Sequence, residues 1–253
     1  MKRLFLLLLV LPVLITCSLD DSQPNVDTSI TFEFTHQWGD QTFTFNDLGI
    51  TTLINENDDE LIIERLRYLI SNIRLYNENG NTMLLQGYSL VELNNNSSLS
   101  FTVKDYIPKG NYSKISFTFG FSPQNNKSGE YPDLNSAGWN WPEDLGGGYH
   151  FLQMDGTFTT LGGQEPFNFH MGTARNSIGV FESNHVNIIL DQAFTIDELN
   201  TIKIRMDISE WFKNPNTWDL NEYNTDLMGN YDAQKMMNEN AGSVFSLGPV
   251  TSP

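Results

Sequence analysis

The chain has 253 residues, with 31 Asp and Glu against 14 Lys and Arg, a formal charge of −17. That balance leaves no basic face to neutralise phosphates, which excludes a nucleic-acid binder and a polybasic membrane binder. Hydrophobic residues make up 39% and aromatics 12%, too much apolar surface for a disordered chain. Asn and Gly are plentiful as turn formers beside abundant Phe and Tyr, which points to an all-β protein.

Met1-Lys2-Arg3 is a charged head on an apolar run from Leu4 to Ile15. The run is shorter than the roughly 20 residues that span a bilayer and fits a signal-peptide core. It ends Leu14-Ile15-Thr16-Cys17, similar to a bacterial lipobox, with Thr16 bulkier than the usual Gly or Ala. The expectation is a signal peptide over 1–16, Cys17 as acylated first residue, and a polar tether over 17–28. Ser18-Leu19-Asp20-Asp21 is similar to the acidic export tag of surface lipoproteins. An outer-membrane or cell-surface lipoprotein held only by its N-terminal lipid is expected, with a soluble periplasmic protein as the alternative. Cys17 is the single cysteine, so once it is acylated the body can hold no disulfide and no Cys-ligated metal.

The body, 29–253, begins with strict alternation. Ile30, Phe32, Phe34, His36 and Trp38 share one parity and Thr31, Glu33, Thr35 and Gln37 the other, the pattern of a half-buried strand. Further strands are predicted at 68–76, 83–93, 99–103, 114–121, 149–158, 167–171, 186–190 and 201–206, separated by turns such as Asn79-Gly80-Asn81 and Leu161-Gly162-Gly163. A helical turn is predicted from Asp58 towards Leu66, and a late helix over 225–240 interrupted by Gly229. The acidic stretches 55–60 and 219–226 lack the spacing of a calcium loop and read as solvated. The fold class expected is one mainly antiparallel β-sandwich, with a few short helices and long loops.

Four histidines are available to chemistry: His36, His150, His170 and His185. His36 ends the apolar face of the first strand, and His170 has the opposite parity from Phe167 and Phe169, so it faces away from what they bury or lines a cavity between layers. His150 follows Gly148-Tyr149, and His185 lies at a turn. Trp139-Asn140-Trp141, on a Gly-flanked loop, is either a cap folded back on the sandwich or an aromatic wall beside a cation. Met154 and Met171 offer thioethers, although Met on a strand is usually core filler. No hydrolase, metalloprotease, P-loop or dinucleotide motif is present, and no enzyme activity is expected.

These residues fall in an order that resembles the MbnP-like family of extracytoplasmic copper-binding proteins associated with methanobactin. The blocks are Phe34-Thr35-His36; Leu66-Arg67-Tyr68 through Leu75; Pro108 to Tyr112; Phe117 to Gly120; Trp139-Asn140-Trp141; Gly148-Tyr149 to Asp155-Gly156; and Phe169-His170-Met171-Gly172. The chain departs from the pattern at Gly138, where a large apolar residue is usual, in a longer 142–147 stretch, and at Asp155, where Glu is usual. The resemblance implies copper, as Cu(I) or Cu(II), for acquisition, storage or delivery. It implies His36 and His170 as imidazole donors; His150, an extra residue beside the tryptophan loop, is a candidate third ligand, and Met154 and Met171 are candidate thioether donors. It also implies that Trp139 or Trp141 is oxidised to kynurenine by a di-haem peroxidase of the MauG type. An outer-membrane transporter is a further expected partner. The alternative is an adhesion or binding module whose aromatics contact a glycan or peptide without metal.

Overall fold

The structure is a computed structural model that describes residues 27–251 apart from 104 and 199. The signal segment, Cys17 and most of the tether lie outside the described residues. The end of the expected tether is already structured: Asp27–Thr28 pairs with Ile107–Pro108.

Two sheets pack face to face. The first contains β1 (Ile30–Trp38), β2 (Gln41–Phe43), β4 (Ser100–Thr102), β9 (Asn200–Asp207) and β10 (Phe245–Thr251). The second is organised on β3 (Glu60–Asn77), with β5 (Gly110–Phe119), β6 (Leu152–Thr160), β7 (Gly163–Met171) and β8 (Val186–Leu190). Among the described strands every ladder is antiparallel except β1 with β9, so the expected sandwich holds. β3 is the spine. One edge pairs with β6 over Leu61 to Tyr68 and then with β5 over Ile70 to Asn77, while the other carries short strands that include Tyr88–Glu92.

The helical turn expected from Asp58 to Leu66 is instead the first half of β3. Leu61 and Ile63 are buried opposite Phe158 and Gly156, and this period-two burial overrides the weak helix-start signal of the acids. The predicted strand 83–93 is two strands, Thr82–Leu84 and Tyr88–Glu92, parted at Gly87 with φ 101°. The late helix α2 spans Tyr231–Val244, starting after Gly229 because the Asn230 side chain caps it, accepting from Ala233 N. The acidic loop is not simply solvated. Asp59 is buried and accepts from Asn55 Nδ2, Leu220 N and Asn221 Nδ2, tying 55–59 to 218–221.

Pleat parity divides β3. Leu66, Tyr68 and Ile70 face the main core between the sheets; Leu69 belongs to a second apolar cluster with Phe121, Leu134, Trp139 and Tyr149. That cluster lies on the outer face of the second sheet, under the 121–149 segment. β3 is therefore buried on both faces, which explains its unbroken apolar run Leu69-Ile70.

Candidate metal centre

The site is built on the outer face of β3, β6 and β7. Arg67, Gln153 and His170 stand in one row, and Arg65, Asp155 and Asn168 in the next. Residues level with one another on adjacent strands share a face, so these six form a polar patch. The Arg67 guanidinium donates to Gln153 and to Glu92 and lies 5.0 Å from the Trp139 ring centroid.

The tryptophan loop closes over this patch. The short helix α1 (Pro132–Ser136) starts with proline and is followed by Gly138 at φ 65°, a left-handed residue that turns the chain back. Trp139 N then bonds Leu134 O, Trp141 N bonds Gly148 O, and His150 N bonds Trp139 O. These bonds lay 139–141 antiparallel to 148–150. Gly148 has φ 85°, and a Cβ there would strike the Asn126 side chain, whose Oδ1 accepts from Tyr149 N. Tyr149 anchors the other end, its hydroxyl accepting from Tyr131 N and donating to Asn135 Oδ1. Gly172 lets the Trp141 ring lie directly on the backbone, where any side chain would overlap it. Trp139 and Trp141 are 0% and 1% exposed, so the loop is a buried cap and not an exposed aromatic wall.

Under the cap the histidines meet. The His150 and His170 ring centroids are 5.4 Å apart at 82°, and the His150 ring lies 4.9 Å from Trp141 and 5.5 Å from Trp139. His150 Nδ1 is 3.2 Å from Trp139 O; a carbonyl only accepts, so Nδ1 carries the proton and Nε2 holds the lone pair. His170 Nε2 is 2.8 Å from Asp155 Oδ1, which likewise places the proton on Nε2 and the lone pair on Nδ1. Neither His150 Nε2 nor His170 Nδ1 has a protein partner among the described residues. An oxygen acceptor on one imidazole nitrogen, with the other left open, is the support metal-binding histidines receive. His150 is also kept neutral: burial, and His170 beside it, lower its pKa to about 3.

Asp155 orients His170. Burial opposes its ionisation, but hydrogen bonds from His170, Arg65 and Asn168 outweigh this and hold its carboxyl well below the usual carboxylate range. Behind His170, the buried Gln234 side chain donates to His170 O at 2.7 Å and accepts from Gly172 N at 3.1 Å. In front of it, Asn168, His170, Asp226 and Met228 line an open hollow of about 580 Å³.

The other expected ligands lie elsewhere. Met154 and Met171 alternate with Gln153 and His170, face the main core and are fully buried. His36, on β1, bonds Tyr68 Oη through Nε2 at 3.0 Å; Tyr68 faces inwards, so the second sheet stands between His36 and His170. His185 bonds Ser183 Oγ through Nδ1, outside the cluster. The geometry thus joins His150, His170, Trp139 and Trp141 and leaves out His36. Arg67 and Asp155 lay within the motif blocks and Met228 outside them, and none of the three was read from the sequence as a member of this site.

Two imidazoles beside two indoles can hold a soft or borderline cation. With metal–nitrogen bonds of about 2 Å, rings sharing one ion have centroids within about 6 Å, a limit the observed spacing meets. Among the described residues no three His, Cys, Asp or Glu side chains are grouped to hold a metal.

Comparison with curated proteins finds no match. Among solved structures the chain is similar to MbnP from Methylosinus trichosporium, with a TM-score of 0.58 and 12% identity, covering 89% of this chain and 99% of that one; at that identity the likeness shows the fold alone. The MbnP family model matches residues 27–231, most of the chain, and so the chain belongs to the MbnP family.

Proposed function

We propose that the protein is an extracytoplasmic copper-binding lipoprotein that acquires, stores or delivers copper and catalyses no reaction. The observation that carries the reading is the His150–His170 pair, each ring with one nitrogen given to an oxygen and the other without a protein partner. Copper is the cargo. Imidazole suits either of its oxidation states, and Cu(I) is content with two or three donors.

The third donor in this reading comes from an oxidised tryptophan. Cleavage of the indole C2–C3 bond by an external oxidant, with C2 lost as formate, converts indole to an aryl amine and a ketone, both better donors than the parent ring. Trp139 is favoured over Trp141. Its Nε1 is buried with no acceptor, whereas Trp141 Nε1 donates to Leu145 O at 3.2 Å, and a buried orphan donor is costly unless something makes use of it. A di-haem peroxidase would supply the oxidising equivalents, and a lipid on Cys17 would hold the protein at the outer membrane or cell surface. Burial of both tryptophans speaks against the glycan- or peptide-contacting alternative.

Copper analysis of protein from the native host tests the site. About one equivalent is expected, falling at least about tenfold in affinity with His150→Ala or His170→Ala, while His36→Ala leaves it unchanged. Undiminished copper in the double variant removes the assignment. Mass spectrometry of the same native protein is expected to find an acylated peptide beginning at Cys17 and an oxidised Trp139. An unmodified 139–141 peptide carrying copper would remove the kynurenine part, and an unacylated Cys17 the lipoprotein part.

A further inference from the structure

A second site is set in the edge of β1. On one side β1 runs beside β9 without a break. On the other, β4 covers Thr31 to Glu33 and β2 covers His36 to Trp38, so Phe34 and Thr35 have no strand partner there. Val103 N donates to Ile30 O on this edge. In a regular strand the residues that direct their N–H and C=O to one edge alternate, so Ile30, Phe32, Phe34 and His36 address this side. Both backbone groups of Phe34 therefore face the gap between β4 and β2.

The gap opens into a cavity of about 340 Å³ with Phe43, Leu93 and Leu99 as apolar wall and Glu33 and Asn96 among its polar lining. His36, which also lines it, is 4% exposed. The buried Tyr68 hydroxyl has His36 Nε2 as its hydrogen-bond partner, and a phenol gives its proton to an imidazole nitrogen more readily than it accepts one. His36 then carries its own proton on Nδ1, which has no partner among the described residues. Three polar groups thus converge on one small, largely apolar space: a donor and an acceptor from Phe34 and a donor from His36.

We propose that this slot binds a short, uncharged, peptide-like molecule by strand addition. The N–H and C=O of one ligand residue, which belong to its two flanking amides, pair with Phe34 C=O and N–H, a neighbouring carbonyl accepts from His36 Nδ1, and an apolar side chain lies against Phe43, Leu93 and Leu99. Main-chain pairing supplies affinity and the side-chain pocket selectivity, as in other edge-strand recognition. The flanking strands β4 and β2 limit the ligand to about two residues at roughly 3.3 Å each, and a lining without Lys or Arg offers an anion no counter-charge. The site is separate from the His150–His170 pair, across the second sheet from it.

The test is an NMR titration of the ¹⁵N-labelled protein with N-acetyl-leucine N-methylamide. Saturable millimolar shifts are expected at Phe34, Thr35 and the His36 ring. Asn96→Trp, on an exposed rim position, and Leu99→Trp are each expected to weaken binding at least about tenfold, and N-acetyl-leucine, the anion, to bind about tenfold more weakly than the amide. Absence of saturable shifts at Phe34 and His36, or affinity unaltered in both tryptophan variants, overturns the site. Equal affinity for N-acetyl-N-methyl-leucine N-methylamide, which lacks the leucine N–H, overturns pairing with the strand edge.

Discussion

Replacing Gln234 by Leu is expected to lower the unfolding free energy by about 4 kcal/mol, because several buried polar groups lose their partners at once. Gln234 is fully buried on α2. Its Nε2 donates to His170 O and to Leu227 O, and its Oε1 accepts from Gly172 N and Asn184 Nδ2. One amide thus fastens α2 to the end of β7, to the turn before the helix and to the segment leading into β8. Leucine has a similar volume, so the loss is of hydrogen bonding and not of packing. Buried groups left unsatisfied cost about 1–3 kcal/mol each, and His170 O and Gly172 N are the most exposed to this penalty. Urea unfolding of the metal-free protein measures the difference. The substitution should also loosen the backbone that carries His170 and supports the Trp141 ring, seen as a shift in tryptophan emission under native conditions. A loss below about 1 kcal/mol with unchanged emission would mean that the helix docks by apolar contact alone.

Much of the fold was legible because half-buried strands write their periodicity into the chain. β1 alternates as read from Ile30 to Gln37, and of the predicted inward set only Trp38, at the strand's end, is half-buried. β8 matches its predicted limits, Val186–Leu190. β3 was harder to read: its middle is buried on both faces and a left-handed Asn72, φ 52°, lies within it, so alternation fails where the second apolar cluster begins. The parity of His170 was readable and set it on the opposite face from Phe167 and Phe169. The same parity argument, applied to Met154 and Met171, turns them into the core, and applied to His36 turns it inwards.

What sequence could not supply was which distant segments meet on each face. The F-x-H and F-H-x-G blocks suggested a shared pocket, but they occupy opposite sides of a sheet. Convergence depends on the loop that folds 139–141 against 148–150, and this is fixed by local geometry: Gly138, Gly148 and the Tyr149 hydroxyl. Asp155 illustrates the same limit. On paper it is a substitution for Glu before Gly156; in the fold its shorter side chain already reaches His170, Asn168 and Arg65 at 2.6–2.8 Å.

Acid is expected to destabilise the metal-free protein well before its carboxylates titrate. Burial lowers the pKa of His36 to about 4, and burial reinforced by the neighbouring His170 lowers that of His150 to about 3, against about 6.5 in the unfolded chain. Below that value the unfolded state takes up protons that the native state refuses, so stability is complete above about pH 6.5 and falls with pH until the folded values are reached. Each pH unit in this window costs about 1.4 kcal/mol per imidazole. Both rings are shielded from solvent, 4% and 5% exposed, so screening relieves little of the penalty. Between pH 7 and 5 the two together remove about 4 kcal/mol, and His185, also lowered by burial, adds in the same direction. Asp155 acts elsewhere: its depressed folded pKa gives stability that is lost only as pH falls below the ordinary carboxylate range near 4. Urea unfolding at pH 7 and pH 5 measures the drop, and His36→Gln, which cannot titrate, should reduce it to about half. A drop under about 1 kcal/mol, or one unchanged by His36→Gln, would mean that these imidazoles accept protons in the folded state, which the sealed cap over His150 and the Tyr68 contact at His36 are built to prevent.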